Sequence, residues 1–169
     1  MEVFDAVRTV LAVRTYRHGQ VPPEVVDRVV DAARLTASSQ NRQPWHFIVV
    51  EGQEALRQLG ALCTSGPYVS DAAFAVVVGL NADSRPGPTD AARAIQSMVL
   101  TAWEAGVGSN WVSVARVDEV RELLGFPREV VPFAVVPFGY PARPVGRGRK
   151  NRKPLSEIAH RGRFGVPFA

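Results

Sequence analysis

Residues 38–47 read Ser38-Ser39-Gln40-Asn41-Arg42-Gln43-Pro44-Trp45-His46-Phe47 (SSQNRQPWHF). A run of hydroxyl, amide and guanidinium groups stands directly before a proline, a tryptophan and the apolar run Trp45 to Val50 (WHFIVV). The apolar, β-branched run predicts a strand, and the polar residues before it predict a connection. Such a connection has two readings. It is a polar loop that precedes a strand, or it lays hydrogen-bonding groups along the edge of a flat, polar-rimmed ligand. Trp45 reads as a core anchor in the first case and borders a site in the second.

Upstream, Pro22-Pro23-Glu24 opens a helix, where proline suits the first turn, and Val25, Val26, Val29, Val30 and Ala33 form its buried face. Before it, Val3, Phe4, Val7, Val10 and Leu11 fall at helical spacing and predict an amphipathic first helix. Downstream, Gln53 to Cys63 reads as a short helix with Cys63 as a small apolar filler. Phe74 to Leu80 (FAVVVGL) reads as a strand buried on both faces. Asn81 to Pro88 is turn-rich. Thr89-Asp90 caps a long helix to about Ala105, with Ala94, Ile95, Met98, Val99 and Ala102 inward and Trp103 packed within it. Gly106 and Gly108 end that helix. Asp118 to Leu124 is another helix. Pro132 to Phe138 is a strand whose prolines place it near a sheet edge. Helices alternating with few short strands give an α+β, or three-layer α/β/α, domain.

The chain has 169 residues, 46% hydrophobic and 21% charged, which fits one domain with a sizeable core. The run Ala72 to Leu80 is too short to cross a bilayer, and the acidic start MEVFDAVRTV is no secretory signal. One cysteine excludes an internal disulfide framework, so a reducing, cytoplasmic location is expected. The net charge of +4 is uneven: from Pro141 onward eight cations accompany a single acid, Glu157, leaving a net-acidic body. This pattern suits a local anion site or a solvated tail better than a broad nucleic-acid surface. The Pro-, Gly- and Arg-rich segment from about 140 to 169 is too long for a free end in so compact a chain, and a partner subunit is the expected surface for it.

His18, His46 and His160 lie far apart and no metal-ligand spacing occurs, so no metal site is expected. There is no G-x-S-x-G, G-x-G-x-x-G or G-x-x-x-x-G-K, and Gly146-Arg147-Gly148-Arg149 falls in the tail rather than between a strand and a helix. The polar loop, the tail cations and Ala105 to Val114 (AGVGSNWVSV) remain. A flavin needs parts of this kind: amides and hydroxyls for its ring edge, a backbone donor near N5, and cations for its phosphate.

Four stretches together resemble the FMN-dependent nitroreductase family. Arg14-Thr15-Tyr16 through Val21-Pro22 resembles the end of the family's Arg-Ser-x-Arg-x-Phe/Tyr motif. Ser38 to Phe47 resembles its Pro-Ser-x-x-Asn-x-Gln-Pro-Trp-x-Phe, the most specific of the four. Asp90 to Val112 resembles its central helix and Gly-x-Gly turn. FGYPARP with Lys150-Asn151-Arg152-Lys153-Pro154-Leu155 resembles its closing Gly-Tyr-Pro and Lys-x-Arg-x-Pro. The resemblance implies a three-layer fold with a mostly antiparallel central sheet, in an intertwined homodimer that exchanges its C-terminal tail. It implies FMN as cofactor at the dimer interface and NAD(P)H as electron donor. Electrons would pass by ping-pong to a nitroaromatic, quinone or similar small acceptor. No catalytic side chain is implied, since the flavin carries the chemistry.

By position, the resemblance places Ser38, Ser39 and Asn41 along the ring and ribityl chain. It places Trp111, Val112, Ser113 and Val114 over the flavin near N5, and Arg14, Lys150 and Arg152 among the cations for the phosphate. Outside the motif, Lys150 and Arg152 read as a solvated pair, Trp111 as interface bulk, and Arg42 as a solvated loop charge. Val10 and Ala12 stand where the family has an arginine and a serine, with Arg8, Arg14 or Arg147 as compensating cations. Ala37 replaces the proline before the serines, Gly66-Pro67 stands at a usual amide contact, and the loop at 81–88 is shorter than the family's helical excursion. Flavin binding weaker than the family's norm, in a more open pocket, is therefore expected. Three other readings stay open: a relative that fragments flavin, dehalogenates or uses a deazaflavin; a flavin-sequestering protein, to which the eroded N-terminal motif points; and a basic-tailed protein that binds RNA or anionic surfaces.

Overall fold

The computed structural model describes residues 1–145 and 150–168. Its centre is β2 (Phe74–Asn81), in which Phe74 through Leu80 are all buried. That burial follows from the strand's position. β1 (Trp45–Glu51) pairs with it antiparallel on one side and β5 (Val130–Gly139) antiparallel on the other. The two short strands β3 (Gly108–Ser109) and β4 (Val112–Ser113) both add antiparallel to the far side of β5.

Alternation along β2 divides the core in two. Phe74, Val76, Val78 and Leu80 pack with Val29 and Ala33 of α2 (Pro23–Arg34) and with Ile95 and Met98 of α4 (Gly87–Glu104). Ala75 and Val77 face the other way, onto Leu56 and Leu59 of α3 (Gln53–Ala61) and Val120 of α5 (Val117–Leu124). Two helical layers therefore cover one mixed-length antiparallel sheet, the three-layer α+β arrangement expected from the sequence. Trp45 is buried in the first of these cores, stacked beside Phe47.

Four expectations need correction. The strand holding Pro132 and Pro137 is interior, not at an edge. The sheet tolerates both prolines because each falls where the ladder is irregular. Pro132 sits at the register shift of β2 between Val78 and Gly79, and Pro137 lies between the residues that β3 and β4 pair with. The first helix, α1 (Val3–Thr9), stops before Val10 and Leu11, and its apolar face is not inward: Val3 and Phe4 are 76% and 75% exposed and only Ala6 is buried. Finally, α4 begins at Gly87, and Asp90 is a buried residue of its first turn rather than a cap. Cys63 is buried as expected but lies past the end of α3, bridged to Val114.

The tail beyond Tyr140 packs little. Leu155 and Ile158, on the single turn α6 (Leu155–Ile158), are 57% and 61% exposed, and Phe164 is 88% exposed. Arg147 and the Gly146-to-Arg149 run lie outside the described residues.

Candidate functional site

Residues 38–43 form a tightly tied loop between α2 and β1. Gln40, Asn41 and Gln43 hold φ of 52°, 57° and 49°, the left-handed region that non-glycine residues seldom occupy. Local bonds hold the turn. The Ser38 hydroxyl accepts the Gln43 N–H at 2.9 Å, and the Gln43 side-chain amide donates to the Asn41 carbonyl at 3.1 Å. The Ser39 N–H donates to both carboxylate oxygens of Asp90, at 3.2 and 3.0 Å. Pro44 then ties the loop to the sheet, its carbonyl accepting the Asn81 N–H at 2.9 Å. The side chains of Ser39, Gln40, Asn41 and Arg42 are left on the surface.

A second group gathers at the other end of α4. Ala12 bridges Ser109 in parallel, and the Val13 N–H donates to the Ser109 carbonyl at 2.9 Å. This lays the segment carrying Arg14 against β3. The buried Tyr16 anchors it, its hydroxyl within hydrogen-bond distance of the Val13 and Pro137 carbonyls at 2.8 and 3.2 Å. Burial pushes the Tyr16 phenol well above its ordinary pKa, with Tyr68 adding to the shift, so it stays neutral. Two glycines permit the approach for different reasons: Gly106 turns the chain at φ 75°, and Gly108 has no room for a Cβ beside Val13.

Trp111 follows, 40% exposed and edge-on to Phe133 with centroids 5.6 Å apart, while Val112 is buried and Ser113 exposed on β4. Lys150 reaches the end of α1, its Nζ donating to the Val7 carbonyl at 2.5 Å. Partial burial first, and the neighbouring Arg152 charge second, pull the Lys150 ammonium below its ordinary pKa. Arg152 is exposed, donating only to the Asn151 carbonyl at 2.9 Å. Arg8 pairs with Asp5 at 2.9 Å, and with Arg17 and Arg143 it lines a cleft of about 750 Å³ walled by Trp103 and Tyr140.

The structure thus brings Arg14 and Lys150 toward the end of α4 that meets α1, and Ser38, Ser39 and Asn41 toward the other, while Val112 and Ser113 lie midway along β5, opposite Val135 and Ala134. Along α4, Asp90 holds the first loop, while Trp103 Nε1 donates to Thr9 Oγ1 of α1 at 3.0 Å. At about 1.5 Å per residue those two positions lie about 20 Å apart. Across the sheet, β2 and β5 separate β1 from β4, three steps of about 4.8 Å each. Within one chain the expected ligand residues fall into separate groups. Asp90 and Tyr16 are the residues the sequence reading missed. An acid in a helix's first turn after a threonine carries the signature of a cap, and nothing local distinguishes one that serves a different loop.

A three-layer antiparallel α+β fold with a polar loop and a cation-bearing edge at opposite ends of its long helix defines the class. The family model described as "Nitroreductase family" matches residues 8–81 and 71–140. A Methanothermobacter thermautotrophicus protein named as an NADH dehydrogenase/NAD(P)H nitroreductase is 35% identical over 154 residues, covering 86% of this chain and 81% of its own. A Bacillus subtilis protein named FMN reductase (NADPH) is 24% identical over 189 residues, covering 96% of this chain and 75% of its own. A solved structure from Parabacteroides distasonis, titled as an NADH dehydrogenase/NAD(P)H nitroreductase, superimposes with a TM-score of 0.86 at 28% identity, covering 95% of this chain and 98% of its own. This chain belongs to the nitroreductase family. It is an oxidoreductase of that family, as the relatives' names attest.

Proposed function

We propose that the protein is a homodimeric, FMN-dependent NAD(P)H oxidoreductase that passes electrons to a nitroaromatic, quinone or similar small acceptor. The observation that carries this reading is the separation, within one chain, of loop 38–43 from the other motif residues, along α4 for Arg14 and Lys150 and across the sheet for Trp111, Val112 and Ser113. A two-fold partner would set one chain's loop 38–43 against the other chain's Arg14, Trp111, Val112, Ser113, Lys150 and Arg152, making two whole sites. Exposed apolar side chains support the dimer: Val3, Phe4 and Val7 on α1 and Leu155, Ile158 and Phe164 in the tail each stand in solvent, surface that a partner subunit would cover. The tail would wrap the partner.

The residues present suit FMN. The loop presents the side chains of Ser39 and Asn41 on the surface, Trp111 offers an aromatic wall, and Lys150 and Arg152 offer charge-assisted donors for a phosphate. Val10 and Ala12 withhold the further cation and hydroxyl that the resemblance leads one to expect. When bound, FMN supplies the chemistry, accepting hydride from NAD(P)H and delivering electrons to the second substrate in a separate half-reaction. The chain's own residues would bind it and orient its ring. Cys63 as a free thiol supports a reducing, cytoplasmic setting.

The test is NAD(P)H consumption by FMN-loaded protein with menadione or a nitrofuran, with and without acceptor. Acceptor-dependent turnover with parallel double-reciprocal plots is the expected result. Bound flavin without turnover would instead favour a sequestering role.

A further inference from the structure

A carboxylate taken out of water is costly unless it is hydrogen-bonded or paired. Asp90 is 3% exposed. Its hydrogen-bond partner is the Ser39 N–H, at 3.2 and 3.0 Å to its two oxygens; Arg93 stands at a loose 3.7 Å, and the carboxylate sits in the first turn of its own helix, where the helix dipole favours an anion. Among the described residues, Asp90 is the sole group from another element to hydrogen-bond residues 38–43; the loop's other bonds there are internal. The same loop carries three left-handed non-glycine residues within four positions, Gln40, Asn41 and Gln43. Backbone of this kind persists only where its surroundings over-determine it, and it collects where a ligand is clamped.

We infer that Asp90 is a positioning residue. It holds loop 38–43 in the strained form that presents the Ser39 and Asn41 side chains to the ligand, and it acts through Ser39 rather than by touching the ligand. The inference rests on the flavin reading of that loop. Its physical logic is independent of the ligand's identity: a buried anion in the first turn of the long central helix fixes one backbone N–H, and the turn closes behind it through the Ser38 hydroxyl and the Gln43 N–H. Without the carboxylate the Ser39 N–H is orphaned, and the loop is free to leave the left-handed region. An asparagine at position 90 keeps one acceptor of nearly the same shape, so it should hold the loop where alanine does not.

The experiment compares wild type, D90A, D90N and, as a stability control, Leu56→Ala on the opposite core layer, where Leu56 is 2% exposed. Two quantities are read. The first is hydrogen exchange at the Ser39 and Gln43 amides of the flavin-free protein. The second is FMN affinity from quenching of flavin fluorescence. Expected are at least tenfold faster exchange at both amides and at least tenfold weaker FMN binding in D90A. D90N should recover most of both, and Leu56→Ala should lower the melting temperature with little change in either. Unchanged exchange at Ser39 in D90A, or FMN affinity falling equally in Leu56→Ala, overturns the inference. If wild type takes up no FMN while D90A still frees the loop, the flavin reading fails and the clamp stands.

Discussion

Replacing Gly108 by alanine tests how the Arg14 segment is seated. A Cβ at position 108 would lie 2.4 Å from Cγ2, 2.7 Å from Cβ and 3.0 Å from Cγ1 of Val13. The first two contacts are closer than carbon atoms tolerate and the third is tight, and Val13 cannot withdraw easily. It is 5% exposed, and its N–H is bonded to the Ser109 carbonyl one residue beyond the clash. Relief therefore requires the segment 12–14 to lift from β3, at the cost of that hydrogen bond and of Val13's packing. Overpacking of this kind costs about 1–3 kcal/mol. For a chain of this size the melting temperature should fall by roughly 2–12 °C. Thermal unfolding of G108A, V13A and the double variant forms a double-mutant cycle. V13A removes two of the three contacts, so the double variant should be more stable than the sum of the single losses predicts. Because Arg14 moves with the segment, G108A should also bind FMN more weakly. Wild-type stability in G108A, or strict additivity with V13A, would refute the reasoning.

Two further outcomes follow from the charges and the buried acids. Removing the Lys150 or Arg152 side chain should weaken FMN binding roughly ten- to a hundredfold, the loss of a charged hydrogen bond worth about 1.5–3 kcal/mol, while riboflavin affinity changes little; titrations with the two ligands check this. Burial raises the Cys63 thiol from 9.0 to about 11 and the Tyr16 phenol further still. Both groups are raised in the folded state, so the stability linked to them is complete below pH 9 and declines as pH climbs through the window between unfolded and folded values. Urea midpoints at pH 8, 10 and 11 should fall, less steeply in Cys63→Ala, and iodoacetamide should label native Cys63 at pH 8 far more slowly than the unfolded chain.

The apolar runs announced the architecture. A strand apolar at every position, Phe74 to Leu80, could only be interior, and the 3.6-residue spacing of α2 and α4 placed their buried faces. The Pro132–Phe138 strand was misplaced because proline argues from a missing donor, and sequence does not reveal that a bulge or a gap between two short strands removes the need for it. Helix α1 has the spacing of a core helix, yet among the described residues its Val3 and Phe4 side chains are left exposed. Periodicity reports that a face seeks burial, not whose chain supplies the cover. The loop 38–43 reads as a ligand edge from its side chains alone. Its left-handed backbone and its tie to Asp90 are not legible there, since both depend on a helix fifty residues downstream.

The central claim is that each site is assembled from two chains. Two variants break opposite halves: Ser39→Trp blocks the loop, and the double change Lys150→Ala with Arg152→Ala removes the phosphate cations. Each alone should fail to hold FMN through desalting. Unfolded together in equal amounts and refolded, they should regain flavin at about one site in four, because half the dimers are mixed and each of those carries one intact site. Recovery near that level, absent from either variant refolded alone, is the predicted result; no recovery from a mixture that demonstrably contains mixed dimers would contradict the account.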